Sequence, residues 1–107
     1  MGRESMLPSG TLLSTDLDDP QAVPYFLWDE PMTVEELRRR LAEASAPERR
    51  RLLAKILREA RDTEVWRFLS PRELLQDWPG LSPLLGKRRA FWEFLVHEWE
   101  RQGLFAA

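Results

Sequence analysis

The stretch Lys87 to Gly103 repeats Phe91, Leu95 and Trp99 at every fourth position, with Trp92 and Val96 beside them. That spacing predicts a helix with a wide apolar stripe, and the rest of the chain reads as what covers it. Two earlier stretches share the helical period. Thr33 followed by Glu36 is a capping-box signature, and Val34, Leu37 and Leu41 mark the buried side of a first helix running to about Ala44. Ser45 with Glu48, and Pro47 in the first turn, opens a second helix. Its Leu52, Leu53, Ile56, Leu57 and Ala60 form a broad apolar face up to about Asp62. The very short link predicts an antiparallel hairpin.

Between these elements the pattern weakens. Val65, Trp66, Phe68 and Leu69 suit either a short extended segment or a helical turn. Irregular or helical structure is favoured, because a lone strand leaves its amides unpaired. Ser70, Pro71 and Glu73 predict a short helix through Leu74, Leu75 and Trp78, which Pro79 and Gly80 should end. Gly103 stands where a left-handed cap would close the last helix, with Leu104 and Phe105 free to fold back on it. Residues 1 to 24 show no period of 2 or 3.6 and are interrupted by Pro8, Pro20 and Pro24. The expected fold is therefore all-α, a compact bundle of four to five helices (33–107) preceded by a largely irregular N-terminal arm (1–32).

Charge sharpens that division. The arm holds six acidic residues against Arg3, whereas the remainder holds fifteen basic and twelve acidic residues. An acidic arm thus precedes a mildly basic body. With no cysteine there is no disulfide framework or thiolate metal site. No apolar run suits a secretory leader or a membrane span, so the expectation is a soluble, cytoplasmic protein.

Candidate chemistry is thin. His97 has Glu93, Glu100 and Arg101 at helical spacing, but one histidine on one helix makes a poor metal site, and a surface ion pair is the better reading. Asp16, Asp18 and Asp19 have the look of a magnesium-binding cluster, yet no phosphate-cradling loop accompanies them, so a solvated turn is favoured. No catalytic residue, cofactor site or metal site is assigned. The cluster Tyr25, Phe26, Leu27 and Trp28, followed by Asp29, reads either as an anchor onto the chain's own body or as a docking peptide for another protein. Three basic triplets, Arg38 to Arg40, Arg49 to Arg51 and Lys87 to Arg89, offer a surface for phosphates or an acidic partner. Alternatively they are solvated helix faces paired with Glu35, Glu36, Glu43, Glu48 and Glu93. A helix-turn-helix reader is disfavoured, since about eight residues separate the candidate helices where three or four are usual.

The segments ARDTEVW, LGKRRAFWEFL and YFLWDEP carry a resemblance. The run from Ile56 to Phe105, with YFLWDEPMTVEELRRRL, resembles small, mostly uncharacterised bacterial helical proteins encoded beside nucleotidyltransferase-like toxins of the abortive-infection type. The resemblance implies an antitoxin-like companion that binds and restrains a toxin enzyme. In that picture Asp16, Asp18, Asp19 and Asp29, with Glu30, offer charge, and Tyr25, Phe26 and Trp28 offer buried area. The alternative is a nucleic-acid-associated module using Arg49, Arg50, Arg51, Lys87, Arg88 and Arg89. A third reading is a homodimer joined through leftover aromatic surface.

Overall fold

The computed structural model describes residues 12–103, so the expected return of Leu104 and Phe105 and the first part of the arm lie outside the described residues. The fold is all-α, with five helices and a single pair of very short strands among the described residues. It divides into two units, Met1–Ser45 and Ala46–Ala107. None of the described helices is long and apolar enough to cross a membrane.

In the first unit, β1 (Leu13–Ser14) pairs in parallel with β2 (Val23–Pro24), Leu13 opposite Val23. Short polar side chains build the connection. Ser14 Oγ accepts from the Asp16 amide, Asp16 Oδ1 from the Asp18 amide, and Asp19 Oδ1 from the Gln21 amide. These local bonds give the backbone turns in place of a ladder. A 3-10 turn follows at Tyr25–Leu27, and then α1 (Val34–Glu43).

The start of α1 explains why this loop is held. Thr33 caps the helix by accepting from the Glu36 amide at 3.1 Å, but the expected return bond is not made, the Glu36 carboxylate accepting from Arg39 and Arg40 instead. The next orphan donors are met by the loop itself, Val34 N to Ala22 O and Glu35 N to Pro20 O. Leu13, Leu17, Phe26, Leu27 and Met32 are buried in this unit, as are Val34, Leu37 and Leu41 of α1. Residues 12–32 are thus mostly turns, as the pattern predicts, but they carry buried side chains spaced too irregularly for any period to expose.

In the second unit, α2 (Ala46–Glu59) buries six consecutive residues, Leu52 to Leu57. A helix buried on all sides over that length sits inside its surroundings rather than on them. Lys55 is among the six, at 6% exposure. The ambiguous stretch after α2 contains a 3-10 turn, Glu64–Arg67, in keeping with the helical preference for it. Next, α3 (Pro71–Gln76) shows the full capping box. Ser70 Oγ accepts from the Glu73 amide, and the Glu73 carboxylate accepts from the Ser70 amide.

Pro79 and Gly80 do not end this helix. The break falls at Asp77, and Pro79 lies in the first turn of a new helix, α4 (Trp78–Leu81), where its missing N–H costs nothing. Two 3-10 turns, Ser82–Leu84 and Gly86–Arg88, lead into α5 (Arg89–Arg101). Gly86 and Gly103 take positive φ of 54° and 72°, the latter just past the end of α5 as a C-terminal glycine should be.

The buried line of α5 is Trp92 and Val96, whereas Phe91 is 39% exposed. Leu95 and Trp99 are half-buried flanks. The expected stripe is therefore displaced by one position. At about 100° per residue, Trp92, Val96 and Trp99 fall within about 60° of one another, while Phe91 lies about 100° round from Trp92. With aromatic residues on several sides, periodicity alone cannot choose the central line. Trp92 fixes the choice: its indole Nε1 donates to Leu57 O at 2.9 Å. That carbonyl belongs to the last turn of α2, where no intrahelical donor is available.

Candidate functional site

The acidic and aromatic candidates of the first unit separate on inspection. Asp16, Asp18, Asp19 and Asp29 are exposed, and Asp16 and Asp19 use a carboxylate oxygen to form turns. Tyr25 is half-buried and meets Phe26 edge-to-face, with ring centroids 5.3 Å apart. Phe26 is 1% exposed and Leu27 fully buried, so both act as anchors within the chain. Trp28, immediately after them, is 55% exposed. The YFLWD segment thus has two side chains turned inward, Phe26 and Leu27, and two outward, Trp28 and Asp29.

The basic triplets are largely answered by carboxylates of their own unit. On α1, Glu36 takes bonds from Arg39 and from Arg40 Nε (2.9 Å), and Glu43 stands 3.5 Å from Arg39. The hydrogen bonds from Arg39 and then Arg40 hold the Glu36 carboxyl below its ordinary value. On α2, Arg51 forms a two-point pair with Glu48 at 3.0 and 2.8 Å. Arg49 reaches Glu73 at 2.6 Å and Asp77 at 3.3 Å. Arg50 lies against Gly80, where a Cβ would come within 2.6 Å of its Nε. At the start of α5, Arg88 pairs with Asp62, Arg89 Nη2 stands 3.9 Å from Glu93, and Lys87 is exposed. Of the expected partners, Glu36, Glu43, Glu48 and Glu93 are used, whereas Glu35 accepts from Gln21 Nε2 at 3.1 Å. Glu73, Asp77 and Asp62 were not readable as partners, because each lies 24 or more residues from its arginine.

The Arg49–Glu73 contact also reinforces the α3 cap. Burial raises the Glu73 carboxyl, but the Ser70 amide and then the Arg49 guanidinium outweigh it and hold the group below its ordinary 4.5. A carboxyl lowered by folding stabilises fully above its unfolded value and loses that contribution as pH falls through the lower folded one. Urea unfolding should therefore show stability declining from about pH 5 toward pH 3, with a shallower acid limb in Glu73→Gln. Ser70→Ala should cost about 1 kcal/mol at neutral pH. An acid limb unchanged in Glu73→Gln would remove this carboxylate from the account.

Around α5 the rings form a connected cluster. Trp92 meets Trp66 and Phe91 edge-to-face, with centroids at 5.7 and 4.8 Å, and Trp66 lies 6.0 Å from Trp99. The Arg88 guanidinium stands 4.9 Å from the Phe91 ring centroid and 5.8 Å from that of Trp92. Its Nε is buried without a hydrogen-bond partner. Trp66 and Phe91 remain partly open, and Phe94 is 66% exposed. Sequence reasoning missed Phe94, which the helical period places about 160° from Trp92.

No group of three potential metal-binding side chains occurs among the described residues, and His97 is exposed. The described residues form open grooves. One, of about 380 Å³, is lined by Trp66 to Pro71 and Glu73, and another, of about 440 Å³, by Arg58 to Thr63 with Arg88. Arg58 spans from α2 to the Leu84 carbonyl at 2.9 Å. In the first groove Ser70 and Glu73 are tied to each other in the α3 cap, and in the second Asp62 is paired with Arg88. No protein-family model, curated protein or solved structure matches this chain.

Proposed function

We propose that this chain is a non-catalytic protein-binding module, an antitoxin-like companion that restrains a nucleotidyltransferase-type toxin through the acidic and aromatic surface of its first unit. The observation that carries the reading is Trp28, more than half exposed next to Asp29 and directly after the buried anchors Phe26 and Leu27. A large ring held out by a fixed backbone loses little conformational freedom on binding, as binding hot spots require. Asp16, Asp18 and Asp19 add negative charge on turns pinned by their own side chains, suited to a basic nucleotide-binding cleft. The partner's class comes from the resemblance of YFLWDEP, ARDTEVW and LGKRRAFWEFL. The competing reading, nucleic-acid association through the basic triplets, is disfavoured because most of those arginines are engaged by carboxylates of the same unit.

The test is a pull-down from nuclease-treated native extract with the tagged full-length chain, compared with Trp28→Ala and with Asp16, Asp18 and Asp19 all changed to Asn. Retention of a stoichiometric nucleotidyltransferase, falling tenfold or more in Trp28→Ala, supports the proposal. Recovery of nucleic acid alone, or a partner indifferent to both variants, overturns it.

A further inference from the structure

The exposed side of α5 is self-complementary, and we infer that it pairs antiparallel with the same helix of a second copy of this chain. Besides its buried line, α5 together with the 3-10 turn that leads into it carries another series, Lys87 in the turn and Phe91, Phe94 and Glu98 in the helix, spaced 4, 3 and 4 positions apart. That is the alternation of a helix-pairing seam, and it turns away from the seam held by Trp92 and Val96. Its centre is apolar and open, with Phe91 at 39% and Phe94 at 66% exposure. The ends are opposite in charge: exposed Lys87 at the start, and at the other end Glu98, which takes bonds from Arg101 and Gln102 on its own helix.

The spacing reads the same in both directions. A two-fold axis passing between the two helices, level with the midpoint of residues 92 and 93, sets Phe91 against Phe94 of the second copy and Lys87 against its Glu98. Each contact then occurs twice, as closed two-fold symmetry requires. A parallel arrangement would put Lys87 against Lys87 and Glu98 against Glu98, so charge selects the antiparallel one. This pairing uses the second unit and is independent of the partner surface proposed for the first.

One helix pair is small beside the roughly 1,200–2,000 Å² of a standard stable interface, so the association is expected at about micromolar strength or weaker. Sedimentation equilibrium of the full-length chain, from about 1 µM to about 1 mM, should show a monomer–dimer equilibrium with no larger species. Phe94→Glu should weaken it at least tenfold with unchanged circular dichroism. Lys87→Glu and Glu98→Lys should each weaken it, since each places like charges together twice, and combining both in one chain should restore dimerisation to within about threefold of the parent. A monomer up to about 1 mM overturns the pairing, and so does a dimer insensitive to Phe94→Glu, a charge swap without rescue, or mass that keeps growing with concentration.

Discussion

Replacing Trp92 with alanine is expected to lower the stability of the chain by about 3–5 kcal/mol, the loss typical of deleting a fully buried aromatic side chain. The ring is 0% exposed and meets Trp66 and Phe91 edge-to-face, so little can move in to fill the space it leaves. The change also strips the last turn of α2 of a donor, since the Leu57 carbonyl accepts from the Trp92 indole. Trp92→Phe separates the two effects. It keeps much of the volume and the edge-to-face geometry but leaves that carbonyl unanswered, for an expected cost of about 2 kcal/mol. Urea denaturation followed by far-ultraviolet circular dichroism measures both, and the slope with urea should match the parent if only the native contacts change. A loss below about 1 kcal/mol for Trp92→Ala would mean that this ring does not hold α5 to α2.

Trp92 also shows where reading the sequence stops. Signals that depend on a few neighbouring residues were legible: the Thr33 cap, the Ser70–Glu73 box and the left-handed Gly103 all stand where spacing placed them. Such features are decided within one turn of backbone, so local sequence suffices. Which of two adjacent aromatic lines on α5 faces inward is decided elsewhere, by a carbonyl 35 residues earlier that needs a donor. Pro79 misled for a related reason. Proline is compatible with both the end of one helix and the first turn of the next, and only the break at Asp77 tells them apart. At the candidate site, arginine triplets were visible as clusters, and their partners on the same helix followed from spacing. Arg49 with Glu73 and Asp77 did not, because those carboxylates are brought near by the fold. The buried residues of 12–32 were hidden for yet another reason: Leu17 stands singly among turn-forming residues, and Leu13 is buried beside an exposed Leu12 from which no local pattern separates it.

Two substitutions two positions apart should divide the YFLWD segment into its structural and its binding halves. Phe26→Ala removes a ring that is 1% exposed and meets Tyr25 edge-to-face, and is expected to cost about 3–5 kcal/mol in urea unfolding. Trp28→Ala removes a larger ring that is already 55% in solvent, and is expected to change stability by less than about 1 kcal/mol. The larger side chain should thus matter less to the fold, because what counts is the area withdrawn from water and not the size of the residue. Binding should show the reverse dependence: a partner lost in Trp28→Ala at unchanged stability has lost a contact, whereas a partner lost in Phe26→Ala has lost the platform that presents it. Phe26→Leu, which keeps most of the buried volume, should therefore retain the partner. If Phe26→Leu abolishes binding while the chain remains as stable as the Trp28→Ala variant, Phe26 itself makes the contact, and the division of this segment into inward anchor and outward ligand is wrong.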